Sequence, residues 1–301
     1  MITIIGSINL DLIARVERLP TPGETVPGME FSTAPGGKGA NQALAARRAG
    51  AHVRMIGAVG ADAFADEALA LLDEAGIDLS RVKKTRSPTG TAMILVGSDG
   101  ENMIAVVPGA NAEVLPSDVD SASLSRGEFV LLQHEVPLET VEAALRGARA
   151  AGAVSLLNTA PFHVDAIGYL DLADYVIANE TEFDLYAMPL ALEGDGREEK
   201  MRALARRAGR TIVVTRGAEG VLAATPDEFL HVPTVEVTPV DTVGAGDTFC
   251  GYLAAGLSEG LALEAALRQA AIAGALACLK RGAQPSIPLR AEVEAAAGRS
   301  G

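Results

Sequence analysis

The run Asp241-Thr-Val-Gly-Ala-Gly-Asp247-Thr-Phe249 gathers in nine residues what phosphoryl chemistry asks for. It holds two carboxylates, two glycines and the start of an apolar, small-residue stretch. Gly244 and Gly246 let the backbone turn tightly and come close to a ligand. Phe249 to Leu257 can pack as a helix, so Asp247 and Thr248 stand at a helix start. Unpaired N–H groups and the positive end of the helix dipole suit a phosphate there. An acid in the first turn is also a common helix cap, so Asp247 alone reads as cap or as base. Upstream, Val235 and Val237 alternate with polar residues, which predicts a short strand feeding the turn.

A second glycine turn, Pro35-Gly-Gly-Lys-Gly-Ala-Asn-Gln42, precedes an expected helix over Ala43 to Ala49. It is neither a P-loop nor a G-x-G-x-x-G fingerprint. Its glycines allow backbone to approach a small ligand, with Lys38 and Asn41 as donors; a helix entry with a solvated lysine is the alternative. Asn9 and Asp11, just after the buried run Ile2 to Ile5, are two apart and so share one face of an extended chain.

These turns need a scaffold. Strands are expected at Val53 to Val59, Phe129 to Leu132, Val154 to Leu157, Tyr175 to Ala178, Thr211 to Thr215 and Val221 to Ala224. Helices are expected at Ala63 to Ala75, Leu138 to Ala151, Glu198 to Ala208 and Leu261 to Lys280. That rhythm predicts an α/β fold, a mainly parallel sheet in a three-layer sandwich with both faces covered. Ligands of such sheets sit beyond the carboxyl ends of the strands. Glu135, Asn158, Asn179, Glu182, Thr215, Gly217 and the Asp241–Asp247 turn all follow strands and can converge on one crevice. Thr91 to Val96 and Asn102 to Val107, joined by Gly97-Ser-Asp-Gly100, read instead as an antiparallel hairpin. With Leu10 to Arg15 and Val26 to Thr33 it can form a small separate sheet, a lid from about 10–34 and 90–107 on a single domain spanning 1–301.

The chain is 49% hydrophobic with a net charge of −14, which argues against nucleic acid as a partner. Its two cysteines, Cys250 and Cys278, lie far apart in apolar stretches and read as buried thiols. The N-terminus lacks a basic leader region and the apolar run Gln269 to Leu279 is too short to span a bilayer. A protein of the cytoplasm, with no membrane partner, is expected.

Gly36-Gly-Lys-Gly-Ala-Asn41, Asn179-Glu-Thr-Glu182 and Asp241-Thr-Val-Gly-Ala-Gly-Asp247 resemble the sugar-binding, N-x-x-E and anion-hole motifs of the ribokinase (PfkB) family of sugar kinases. Gly6-Ser-Ile-Asn-Leu-Asp11, Pro20-Thr-Pro-Gly-Glu-Thr25, Gly109-Ala-Asn111 and Gly282-Ala-Gln-Pro-Ser286 narrow the resemblance to its ribose-phosphorylating members. It runs from about residue 2 to about 290 and implies the ribokinase-like fold, with transfer of phosphate from ATP to the 5-hydroxyl of D-ribose. By that resemblance Asn9, Asp11, Gly37, Lys38, Asn41 and Glu135 contact the sugar, Asp247 is the base, and Gly244, Ala245, Gly246 and Asp247 form the anion hole. Asn179, Thr215, Gly217, Gly220 and Gly246 contact ATP, and Glu182 orders Mg²⁺ through water. A monovalent cation, K⁺, falls to Asp241, Val243, Ala277, Lys280, Gly282 and Ser286, and a homodimer through the lid sheet is implied. Ala271 stands where some members place a larger residue near adenine, which leaves base selectivity open.

The rival acceptors are 2-deoxyribose, fructose and a nucleoside; 4% aromatic content and no Trp weaken the last. An inactive sugar or nucleotide sensor is disfavoured by the intact Asp247 turn. A nucleotide-binding oxidoreductase is disfavoured because no dinucleotide fingerprint follows Ile2 to Ile5.

Overall fold

The computed structural model describes residues 1–119 and 124–298; residues 120–123 and 299–301 of the expected domain lie outside the described residues. Strands β1 (Ile2–Ile5), β4 (Val53–Gly60), β5 (Asp78–Thr85), β8 (Phe129–Leu132), β9 (Val154–Asn158), β10 (Tyr175–Asn179), β11 (Thr211–Thr215), β12 (Val221–Ala224) and β13 (Phe229–Val232) form one sheet. Its order is β13-β12-β11-β10-β9-β8-β1-β4-β5. All pairs from β11 to β5 are parallel; β12 and β13 extend one edge antiparallel.

Buried runs such as Ile2-Thr-Ile-Ile5 are apolar because a parallel sheet is covered on both faces. The two-residue period then divides each strand between two cores. Ile4, Leu131, Leu156, Ile177 and Val213 face one core, built with helices α1 (Lys38–Arg48), α2 (Ala63–Glu74), α6 (Ala245–Ser258) and α7 (Leu263–Ala277). Ile5, Leu132, Leu157, Val176 and Val214 face the other, built with α3 (Leu138–Ala151), α4 (Glu180–Ala187) and α5 (Arg197–Ala208). The expected three-layer sandwich is observed. Short helices α8 (Ala283–Ser286) and α9 (Arg290–Ala297) follow α7.

A second sheet holds β2 (Asn9–Val16), β3 (Gly28–Gly36), β6 (Gly90–Val96) and β7 (Asn102–Val107), in the order β3-β2-β6-β7. Its outer pairs, β2–β3 and β6–β7, are antiparallel, while the central pair β2–β6 runs parallel. Only Gly6 to Ile8 separate β1 from β2, so the residues that open the small sheet sit at the carboxyl edge of the large one.

Three expectations change. Val235 and Val237 form no strand: residues 233–240 carry no ladder, bounded by Pro233 and Pro239, and proline withholds a ladder donor. The alternation is nonetheless real, because both valines line a groove. Helix α1 begins at Lys38, not Ala43, despite an internal glycine. Its first N–H groups find protein acceptors, as described below, which offsets the low propensity of Gly39. Strand β5, with four charged residues in eight, shows no apolar period from which it could be read, as suits an edge strand.

Candidate active site

Two helix starts form the centre of the site. Each follows a glycine in the left-handed region, Gly37 at φ 88° and Gly244 at φ 77°, where a side chain would strain the turn.

At α1 the free N–H groups are taken up by the protein. Lys38 N donates to Glu135 Oε2 at 3.0 Å and Gly39 N to Ser7 Oγ at 3.3 Å. Ala40 N donates to the Ser7 carbonyl at 2.9 Å, and Ser7 Oγ in turn donates to Glu135 Oε2 at 2.5 Å. A carboxylate at a helix N-terminus is favourable, so Glu135, reaching in just beyond β8, locks α1 to the β1–β2 turn. Asn9 is buried beside it. Asn111 Nδ2 donates to Asn9 Oδ1 at 2.7 Å and to the Ile8 carbonyl at 3.1 Å, while Ile8 N donates to Asn111 Oδ1 at 2.9 Å. With its oxygen so used, Asn9 presents its NH₂ group as a donor.

Asp11, Glu135 and Asp247 bring three carboxylates close together. Burial first, then the charges of Glu135 and Asp247, push the Asp11 carboxyl up to about 7. Burial works against the Lys38 ammonium, but the surrounding Asp247, Glu135 and Glu182 outweigh it and hold its pKa above the usual lysine range. The lysine is therefore charged at neutral pH and balances the acids.

At α6 the arrangement is the opposite. Ala245 N donates to the Thr242 carbonyl at 3.3 Å and Thr248 N to the Gly244 carbonyl at 2.8 Å. Among the described residues, the N–H groups of Gly244, Gly246 and Asp247 have no protein acceptor. Three donors at one helix start are an anion site in waiting. Asp247 is only 7% exposed. Asn41 Nδ2 donates to its Oδ2 and Gln42 Nε2 to its Oδ1, both at 2.9 Å.

An apolar groove of about 560 Å³ runs from this helix start past Val235, Val237, Phe249, Ala271 and Gly274 to Gly217 and Gly220. A smaller cavity of about 220 Å³ holds Lys38, Asn179, Glu182 and Asp247. The two share Thr215, Thr242 and Gly246. Asn179 and Glu182 form a reciprocal capping box on α4: Glu182 N donates to Asn179 Oδ1 at 2.8 Å, and Asn179 N to Glu182 Oε2 at 3.0 Å. The N-x-x-E spacing thus has a structural use, and one carboxylate oxygen of Glu182 is left over beside the cavity. A single oxygen fits a divalent ion that keeps most of its waters.

Asp241 accepts from Val243 N at 3.0 Å and from Gly282 N at 2.9 Å. It ties the turn before α6 to the loop between α7 and α8. The carbonyls of Val243 and Lys280 accept no hydrogen bond among the described residues, and that of Ala277 receives only a long one of 3.5 Å from Lys280 N. Ser286 Oγ donates to the Ala283 carbonyl at 2.8 Å. Hard oxygens with spare capacity suit an alkali cation, and Asp241 clamps Val243 and Gly282 beside them.

The sequence reading passed over three buried amides. Gln42 and Gln133 carried no motif role, and Asn111 was only part of the Gly109-Ala-Asn111 match. Their signal was present, since polar amides next to proposed ligands and fully inside a core must have partners.

The chain belongs to the pfkB family of carbohydrate kinases, whose model matches residues 1–290. A ribokinase of Lactococcus lactis is 38% identical over 297 residues, covering 98% of this chain and 96% of that protein. A deoxyribokinase of Salmonella typhi is 37% identical over 296 residues, covering 95% of each. The ribokinase of Arabidopsis thaliana complexed with ribose and ATP superposes with a TM-score of 0.85 at 31% identity, covering 98% of this chain and 97% of that one.

Proposed function

We propose that this chain transfers a phosphoryl group from ATP to the 5-hydroxyl of D-ribose, giving ribose 5-phosphate. One observation carries the reading: the buried carboxylate of Asp247 stands between the polar side chains around α1 and a helix start whose Gly244, Gly246 and Asp247 N–H groups have no protein acceptor among the described residues and which opens into the apolar groove. Asn9, Lys38 and Asn41 donate to ribose hydroxyls, and Asp11 and Glu135 accept from them, so that each buried hydroxyl finds a partner. Thr215, Gly217 and Gly220 line the wall for the nucleotide, with Asn179 at the phosphate end. The transition state is loose, so positioning and charge matter most. Gly244, Gly246 and Asp247 hold the moving phosphoryl by their N–H groups, and Ala245 keeps the turn in shape. Asp247 takes the proton of the attacking hydroxyl.

Glu182 would hold Mg²⁺ through water, and the ion would offset charge on the ATP phosphates. Asp241, Val243, Ala277, Lys280, Gly282 and Ser286 would surround K⁺. The small sheet serves as a lid on the single domain and excludes water. Met29, Phe31, Met93, Met103, Ile104 and Val106 are exposed on it, which supports a homodimer through that sheet. A cytoplasmic place of work fits a co-substrate abundant there.

ADP release measured with ribose, 2-deoxyribose, fructose and adenosine as acceptors tests the substrate. Ribose is expected to give the highest kcat/KM. A preference for 2-deoxyribose replaces the acceptor and keeps the kinase. Exchanging Na⁺ for K⁺ at constant ionic strength is expected to raise activity several-fold, and Asp241→Ala to abolish that difference. A wild type indifferent to K⁺, Na⁺ and Cs⁺ leaves Asp241 as a turn clamp alone.

A further inference from the structure

We propose that Gln42 is a positioning residue for the base Asp247, and that Gln133 sets which way the Gln42 amide points. The inference rests on the reading of Asp247 as the base.

Gln133 Nε2 donates to Gln42 Oε1 at 2.6 Å. Gln42 Nε2 donates to Asp247 Oδ1 at 2.9 Å and to Asn158 Oδ1 at 3.3 Å. Asn158 Nδ2 then donates to the Ile177 carbonyl at 3.4 Å. Gln42 and Gln133 are both 0% exposed. An amide has one donating and one accepting end, so a buried chain of them has a direction. Turning Gln42 around would set its oxygen against the Asp247 carboxylate and its NH₂ against that of Gln133. Turning both around would still leave oxygen against carboxylate. The anion therefore selects one order, and a hydrogen bond to an ion is stronger than one between neutral groups. The far end shows the cost: Gln133 Oε1 is buried with no partner among the described residues. Gln133 gives up an acceptor contact to present its NH₂ group to Gln42.

The two amides on Asp247 differ in what else they can reach. Asn41 holds Oδ2 and is also a proposed sugar ligand, so sugar competes for its NH₂ group. Gln42 has no exposed surface and stays on Oδ1 whatever enters the crevice. It holds the carboxylate plane so that Oδ2 faces the hydroxyl. Rigid elements support it: Gln133 follows β8, Asn158 ends β9, and α1 and α6 pack closely. A Cβ added at Gly251 on α6 would stand 2.5 Å from Ala45 Cβ and 2.6 Å from the Gln42 carbonyl oxygen. A glycine there lets α6 approach near enough for Gln42 to reach Asp247.

The test compares Gln42→Glu, Gln42→Met, Gln133→Leu and the double variant Gln42→Met/Gln133→Leu with Asp247→Asn. Gln42→Glu keeps the shape and the acceptor for Gln133 but places a second carboxylate beside the base, and such a pair retains a proton. Its acid limb in the kcat–pH profile is expected to move up by about one unit or more. Gln42→Met, which removes both the donor to Asp247 and the acceptor for Gln133, is expected to lower kcat about 10- to 100-fold with both KM values within about threefold. Gln133→Leu should cost less than Gln42→Met, and nothing further in the double variant, because coupled residues are not additive. An unshifted limb with wild-type kcat in the Gln42 variants overturns the proposal, as does loss of kcat in step with a fall in Tm and a rise in both KM values. Full additivity of Gln133→Leu removes Gln133 from it. Should Gln42→Glu fail to fold, Gln42→Met and the double variant decide. Normal turnover by Asp247→Asn defeats the base assignment itself, which separates that failure from this one.

Discussion

Two glycine turns open two helices in this molecule, and the donors they expose meet different fates. At α1 the N–H groups of Lys38, Gly39 and Ala40 go to Glu135 and Ser7. At α6 those of Gly244, Gly246 and Asp247 are left without a protein partner among the described residues. A helix start is worth roughly half a unit of positive charge in either place. At α1 a protein carboxylate uses it to build a rigid floor under the proposed sugar ligands. At α6 it remains available to an anion from outside. The same local motif is thus structural or functional depending on whether a distant acid, here Glu135 across 97 residues, arrives to fill it.

The comparison predicts a division of labour that mutation can break. Changes at α6 should act on turnover and changes on the α1 side on sugar affinity. Asp247→Asn should lower kcat by about 10²- to 10⁴-fold while ribose binding changes little. Near-normal turnover would reduce Asp247 to a helix cap and erase the contrast. Asp11→Ala comes next in size. Loss of a charged acceptor worth about 1.5–3 kcal/mol should raise the KM for ribose by about 10- to 100-fold and leave that for ATP nearly unchanged. Equal effects on both substrates would mean that Asp11 acts through folding of the small sheet instead.

How much of this was legible beforehand depends on the kind of information each feature carries. The parallel sheet was readable because strands such as β4, β8 and β10 are apolar runs followed by helices. The convergence of Glu135, Asn179 and Thr215 followed from their places at or just beyond strand ends, whereas Asp247 was legible from its glycine turn and helix start and not from the strand expected before it. Strand β5 was hidden because Ser80-Arg-Val-Lys-Lys84 lies at an edge, where no apolar period is needed. The extended piece at Val235 and Val237 was read as a strand because alternation reports a buried face, not a paired backbone. The filled state of α1 and the open state of α6 were beyond a local reading, since they turn on contacts between segments about a hundred residues apart. The same holds for Gln42 and Gln133, and for Asn111, whose hold on Asn9 spans 102 residues.

The smallest expected effect follows from the charges crowded on the sugar side. Burial, then Glu135 and Asp247, raise the Asp11 carboxyl from its ordinary value of 3.8 to about 7. Between those two pH values the folded chain holds a proton that the unfolded chain has released. Stability from this group is therefore fully present below the unfolded value and falls as pH rises through the folded one. Sugar binding runs the other way. Asp11 is proposed to accept from ribose hydroxyls, and only the carboxylate accepts with both oxygens. At pH 6 roughly a tenth of the sugar-free chain has Asp11 ionised, and at pH 8 roughly nine-tenths. The KM for ribose is thus expected to fall about tenfold from pH 6 to pH 8, with the KM for ATP within about twofold. Asp11→Asn, which cannot titrate, should bind ribose more weakly and show no such slope. A wild-type KM for ribose that is flat over this range would mean that Asp11 meets the sugar in its protonated form, as a donor. The α1 side would then be neutral where it touches ribose, and the electrostatic contrast with α6 would rest on Glu135 and Lys38 alone.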